Sequence, residues 1–172
     1  MKSSAPVGGT LYLVRHAIAA ERGPEWPDDA KRPLTHAGAA RMRQAVKGLR
    51  TLGVRLTVVA TSPLVRAEQT AKLLADGIGS KPELVVMPAL APDHAPAEVL
   101  EALAALPDLS SAALVGHEPD LGELAAWLTG ASSPPPFKKG GVCCLELGAA
   151  PRRRGAALVW MATPRMLRAL AT

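Results

Sequence analysis

Thr10-Leu11-Tyr12-Leu13-Val14-Arg15-His16 decides the fold. Its first five residues are apolar or β-prone throughout and do not alternate with polar ones. A strand that faces water on one side alternates, whereas one covered on both faces does not. The run therefore reads as a buried strand of a sheet carrying helices on both sides, and it ends abruptly on an arginine and a histidine. Two further runs share this character, one over residues 56–61 and one over 112–115. The first is followed by Ser62-Pro63 and then Arg66, the second by Gly116-His117.

Between the runs the periodicity changes to that of helices. Thr35 has the chemistry of an N-cap, and residues 36–52 place Ala39, Met42, Val46 and Leu49 at three- and four-residue steps, with Gly53 as the stop. Ser62 followed by Pro63 suits the cap and first position of a helix running to about residue 75. Residues 97–106 and 119–128 repeat the helical pattern, and Gly130 closes the second. A strand is predicted over 83–87. Two late strands, 142–147 and 156–162, are joined by the basic turn Arg152-Arg153-Arg154 and suit a hairpin at a sheet edge; a short helix over 165–170 follows. Residues 17–33 hold four Gly and Pro punctuators and read as a loop. Strands alternating with helices predict an α/β domain with a largely parallel sheet. Neither repeats nor a linker divide the 172 residues, so one domain over 1–172 is expected.

Composition narrows the function. The net charge of +5 favours anionic partners. The aromatic residues, Tyr12, Trp26, Trp127, Phe137 and Trp160, are scattered and not interleaved with Lys or Arg, which argues against a nucleic-acid stacking surface. No apolar run approaches the roughly 20 residues that span a bilayer, and the N-terminus has no signal-like apolar segment. Cys143 and Cys144 are adjacent, point to opposite faces of a strand and form neither a disulfide nor a zinc pattern. A reducing, cytoplasmic location is expected.

Ligands of open α/β sheets bind beyond the carboxyl ends of the strands. Three strand ends here carry Arg15-His16, Ser62 with Arg66, and His117. Arginine is a permanent cation whose planar fork matches phosphate oxygens, and neutral histidine can attack phosphorus. Two guanidinium and two imidazole groups converging on one crevice would suit phosphoryl transfer, with no metal or other cofactor required.

These segments have a family likeness. Leu13-Val14-Arg15-His16-Ala17 resembles the Arg-His-Gly signature of the histidine phosphatase (phosphoglycerate mutase-like) superfamily. Arg32-Pro33-Leu34-Thr35-His36-Ala37-Gly38, Ser62-Pro63-Leu64-Val65-Arg66-Ala67-Glu68-Gln69-Thr70 and Gly116-His117-Glu118-Pro119 resemble its other segments, in the family's order. The late stretch Phe137-Lys138-Lys139-Gly140, with Leu158-Val159-Trp160 and Pro164, looks like the SixA-type phosphohistidine phosphatase branch. The resemblance implies a three-layer α/β/α sandwich and a hydrolase in which His16 becomes phosphorylated, with Arg15, Arg66 and His117 completing the phosphate pocket. Ala17 replaces the usual Gly, and Arg22 stands where mutases carry a phosphate-holding Asn. Ser62 and Arg22 are further candidate phosphate contacts. The comparable loop for a general acid offers Asp93, with His94 and Glu98 beyond; as a plain structural residue Asp93 would cap the next helix. His36 is expected to be a surface residue of a first helical turn. The implied substrate is phosphohistidine in a protein or a small phosphorylated compound. The alternatives are a sugar or nucleotide phosphomonoesterase and a non-catalytic phosphate-binding module.

Overall fold

The computed structural model of the chain describes residues 7–172. The opening apolar run forms the strand β1, Val7–Arg15. The helix α1, His36–Thr51, starts where the Thr35 hydroxyl accepts the Gly38 N–H at 2.9 Å. It is followed by Gly53, whose φ of 77° lies in the left-handed region. The strand β2, Val58–Thr61, leads to α2, Val65–Gly77. Next come β3, Glu83–Val86, and α3, Pro96–Leu103. They are followed by β4, Ser111–Gly116, and α4, Asp120–Thr129. The hairpin strands β5, Val142–Gly148, and β6, Ala156–Ala162, precede α5, Pro164–Ala169.

The six strands form one sheet in the order β3-β2-β4-β1-β5-β6. β3, β2, β4 and β1 pair in parallel, and the β5–β6 hairpin adds antiparallel to the free side of β1, at the sheet edge expected for it. The non-alternating runs resolve into two cores. Leu11, Leu13, Val58, Ala60, Ala112 and Leu114 face a cluster with Val99 and Leu103 of α3 and Leu121, Leu124 and Leu128 of α4. Val14, Val59, Ala113 and Val115 face a second cluster with Met42, Val46 and Leu49 of α1, Leu74 of α2 and Leu167 of α5. The layers are thus helix, sheet, helix, as the likeness implied. Cys143 and Cys144 are both buried and unbonded to each other. Gly48 lets α1 approach α5 closely, since a Cβ there would collide with the backbone of Leu167. Among the described residues no helix is long and apolar enough to cross a membrane.

Three expectations need correction. α2 starts at Val65 with Leu64 in the cap position, so Ser62-Pro63 lies outside the helix. The 97–106 helix ends at Leu103, and its first turn is capped by Glu98, whose carboxylate accepts the Ala95 N–H at 2.7 Å. Asp93 does not cap it.

Candidate active site

The chain leaves β1 for α1 on one face of the sheet and leaves the adjacent β4 for α4 on the other. Such a reversal opens a crevice at the strand ends. β1 and β4 run in register to Arg15 and Gly116, and His16 N–H donates to the Gly116 carbonyl at 3.0 Å. His16 and His117 therefore leave neighbouring strands side by side, with ring centroids 5.3 Å apart. Arg66 enters from the first turn of α2 and Arg15 from the end of β1. All four line one cleft of about 960 Å³.

Each ring is held by one nitrogen. The Nδ1–H of His16 donates to the Ala17 carbonyl at 2.7 Å, which leaves Nε2 with its lone pair. Ala17 N–H in turn donates to Thr70 Oγ1, and the Thr70 hydroxyl donates to the Arg66 carbonyl, so the turn after β1 is anchored on α2. The methyl group of Ala17 packs into the second core, which accommodates the departure from glycine. His117 Nε2 lies 2.8 Å from Ser62 Oγ. The Leu64 N–H donates to that oxygen at 3.2 Å, which fixes the Ser62 hydroxyl against the ring. Ser62 is fully buried and absent from the cleft wall. The structure thus gives it a partner in His117 rather than the cap or phosphate-contact role expected of it.

The guanidinium groups are partly engaged. Arg15 donates through one terminal nitrogen to the Phe137 carbonyl at 2.7 Å. Arg66 reaches the Asp29 carbonyl at 2.9 Å and its carboxylate at 3.0 Å. Among the described residues three buried side-chain nitrogens lack a hydrogen-bond partner: Nε of Arg15, Nε of Arg66 and Nδ1 of His117. A buried polar atom without a partner costs about 1–3 kcal/mol. All three belong to residues lining the cleft of His16, and the two arginine nitrogens are N–H donors. A guanidinium with an unused N–H is the kind of group that binds a tetrahedral oxyanion.

Asp29, which sequence reasoning passed over, is the anionic hub of the cleft. Its carboxylate joins Arg66, Arg32 at 3.0 Å and Arg22 at 3.2 Å. Partial burial pushes its pKa up, but the Arg32 hydrogen bond and the charges of Arg66, Arg32 and Arg22 outweigh that and hold it below the usual carboxylate range. Arg22 is an exposed rim residue, its side chain 80% accessible. Burial drives the imidazoles the other way: His16 is pushed down to about 4, helped by Arg66 and Arg15, and His117 to about 3, helped by His16 and Arg66. Both rings are neutral at pH 7, as nucleophilic attack through Nε2 of His16 demands. Burial pushes the Cys143 thiol up to about 12 and the Cys144 thiol to about 11, so neither supplies a competing thiolate.

The cleft wall also carries acidic residues. Asp93 stands there, exposed and with φ of 71°, its N–H donated to the Asp120 carboxylate at 2.9 Å. Glu118 accepts the Gly122 N–H at 2.8 Å. Burial raises the pKa of both Glu118 and Asp120 above the usual carboxylate range. Glu118 belongs to the Gly116-His117-Glu118-Pro119 segment and Asp120 follows it, but their seats on the wall follow only from how β4 hands over to α4. His94 pairs with Glu98 at 3.3 Å, and His36 is an exposed first-turn residue away from this cleft.

The family model of the histidine phosphatase superfamily (branch 1) matches residues 11–92. An uncharacterized protein of Picosynechococcus is 39% identical over 146 residues, 81% of this chain and 86% of that protein. The phosphohistidine phosphatase SixA of Escherichia coli is 30% identical over 139 residues, 80% of this chain and 84% of that protein. A solved structure of the protein histidine phosphatase SixA in complex with tungstate superposes with a TM-score of 0.80 at 27% identity, covering 91% of this chain and 97% of that one.

Proposed function

This chain belongs to the histidine phosphatase superfamily and is a phosphatase, and on that premise we propose that it hydrolyses phosphohistidine on a protein through a phosphoryl group carried by His16. One observation carries the assignment of the site: the three partnerless buried nitrogens of Arg15, Arg66 and His117 belong to residues lining the cleft of His16. The relative named for phosphohistidine supports the choice of substrate.

The reaction runs in two displacements. Nε2 of His16 attacks phosphorus, the new P–N bond forms, and the bond to the leaving imidazole breaks. Arg15, Arg66 and the Nδ1–H of His117 take up the charge on the equatorial oxygens. The leaving nitrogen takes a proton from the acidic wall. Glu118 and Asp120, with their raised pKa values, are better suited to this than the exposed Asp93. Water then attacks the phosphoenzyme, the carboxylate recovers a proton, and phosphate departs from a restored imidazole. The cleft of about 960 Å³ has room for a side chain and its backbone as well as phosphate. We assign residues 1–172 to one domain and the protein to the cytoplasm, where its two free thiols stay reduced.

The test is rapid quench with a phosphohistidine protein labelled in the phosphoryl group. An acid-labile, alkali-stable adduct should appear on wild type and be absent from His16→Ala. Turnover of sugar or nucleotide phosphates with phosphohistidine protein left intact would instead assign a small-molecule phosphomonoesterase. Absence of any adduct with all these substrates would leave a phosphate-binding module.

A further inference from the structure

A second groove, of about 340 Å³, adjoins the catalytic cleft. It lies between α1, the 138–140 loop and the start of α5. Its floor is aliphatic, formed in part by Ala17, Met42, Ala45 and Pro164. Its rim carries Arg41, Lys138, Lys139, Arg165 and Arg168, and no acidic residue lines it. None of these five cations takes part in an ion pair among the described residues, whereas Arg22, Arg32 and Arg66 of the catalytic cleft share Asp29. Like charges gathered on a concave surface repel one another and raise the local concentration of anions.

Two residues connect the groove to the chemistry. Lys139 lines both cavities, and Ala17, on the groove wall, directly follows His16. Whatever fills the groove sits beside a phosphoryl group bound in the cleft. No aromatic residue lines it, so it offers no face for stacking bases. Aliphatic floor and cationic rim together match a stretch of polypeptide that presents carboxylates to the rim and methylene groups to the floor.

We propose that this groove binds an acidic segment, rich in Asp and Glu, that flanks the phosphorylated histidine of the protein substrate. The proposal rests on the phosphohistidine-protein reading of the cleft, and it makes charge around the target histidine the determinant of which proteins are served.

The test uses two labelled synthetic peptides, each with one central histidine. Asp and Glu flank it in the first; Asn and Gln replace them in the second. Fluorescence anisotropy at low ionic strength is measured with wild type, with Lys138→Glu and with the triple variant Arg41→Glu/Arg165→Glu/Arg168→Glu. Wild type should bind the acidic peptide at least about tenfold tighter than the neutral one, given the usual size of charge effects at interfaces. The triple variant should lose that preference, and Lys138→Glu should lose part of it. Phosphorylated with phosphoramidate, the peptides should differ in KM in the same ratio with equal kcat. Turnover of phosphoimidazole, which has no flanking residues, should be the same in the triple variant as in wild type.

Equal affinity of wild type for the two peptides overturns the proposal. So does a preference that survives in both variants, or an oligonucleotide of matching charge that binds as tightly as the acidic peptide. Binding with the expected preference but no cleavage of either phosphopeptide would leave the groove standing and sink the phosphohistidine reading alone.

Discussion

Acidification should unfold this protein through its two site histidines, and replacing one of them should show it. His117 is 4% exposed and His16 6% exposed. Burial first, then for His117 the charge of His16 and for both rings the arginines, press their pKa values to about 3 and about 4. In the unfolded chain both titrate near 6.5. The native values are depressed, so below pH 6.5 the unfolded chain binds protons that the native protein refuses. The stability these neutral rings contribute is complete above pH 6.5 and is lost as pH falls toward 4. The slope is about 1.4 kcal/mol per pH unit for each ring, or about 3 kcal/mol for both in mid-window. Two pH units then remove about 5 kcal/mol, a large part of an ordinary domain's 5–15 kcal/mol. Glu118 and Asp120, whose pKa values are raised, pull the other way. A comparison of wild type with His117→Gln cancels them, because both proteins carry them. Urea unfolding followed by circular dichroism between pH 7 and pH 4.5 should give the variant a slope shallower by about 1.4 kcal/mol per pH unit. Identical slopes would mean that His117 is protonated in the native protein, and the neutral-imidazole cleft would be wrong.

Four other substitutions probe separate parts of the site. Arg66→Lys discards the fork that spans Asp29 and the cleft, and kcat/KM should fall about 100-fold, or about 3 kcal/mol; a loss below fivefold in steady-state assays would detach Arg66 from the phosphate. Ser62→Ala strips His117 of its remaining ring partner and should cost about 1–3 kcal/mol in a urea titration, with an unchanged midpoint refuting the 2.8 Å bond. Glu118→Gln keeps an acceptor for the Gly122 N–H but holds no transferable proton. Phosphate esters with poor leaving groups should slow by roughly 10²-fold and activated aryl phosphates far less. Asp93→Asn, at an exposed position, should slow both less than Glu118→Gln does. The opposite ranking would make Asp93 the donor.

The strand ends were legible because burial on both faces writes itself into residues 10–14 and 112–115 as unbroken apolar runs, and a run must stop where the polar site begins. Thr35, Gly53 and Gly130 marked helix ends through local chemistry that needs no tertiary information. Arg15, His16, Arg66 and His117 followed from both. What stayed hidden depends on contacts between distant segments. Asp29 lies 37 residues from Arg66 in a loop without periodicity, and nothing local distinguishes it from Asp28 beside it. Ser62-Pro63 has the local chemistry of a helix start, yet the buried His117 claims the serine hydroxyl and the helix begins at Val65. Asp93 looked like a cap for the same local reason, but Glu98 reaches back to the first turn and takes that place.

The strand order has a further consequence, for assembly. β4 lies between β2 and β1, yet both of those strands precede it in the chain. A ribosome therefore releases two strands that are never partners in the finished sheet, and the gap between them must stay open until residues 111–116 arrive to fill it. His117 comes in with that gap-filling strand. Closure of the parallel sheet and the meeting of the two imidazoles are for that reason one event, and a nascent chain halted before β4 would hold the ring of residue 16 with nothing opposite it.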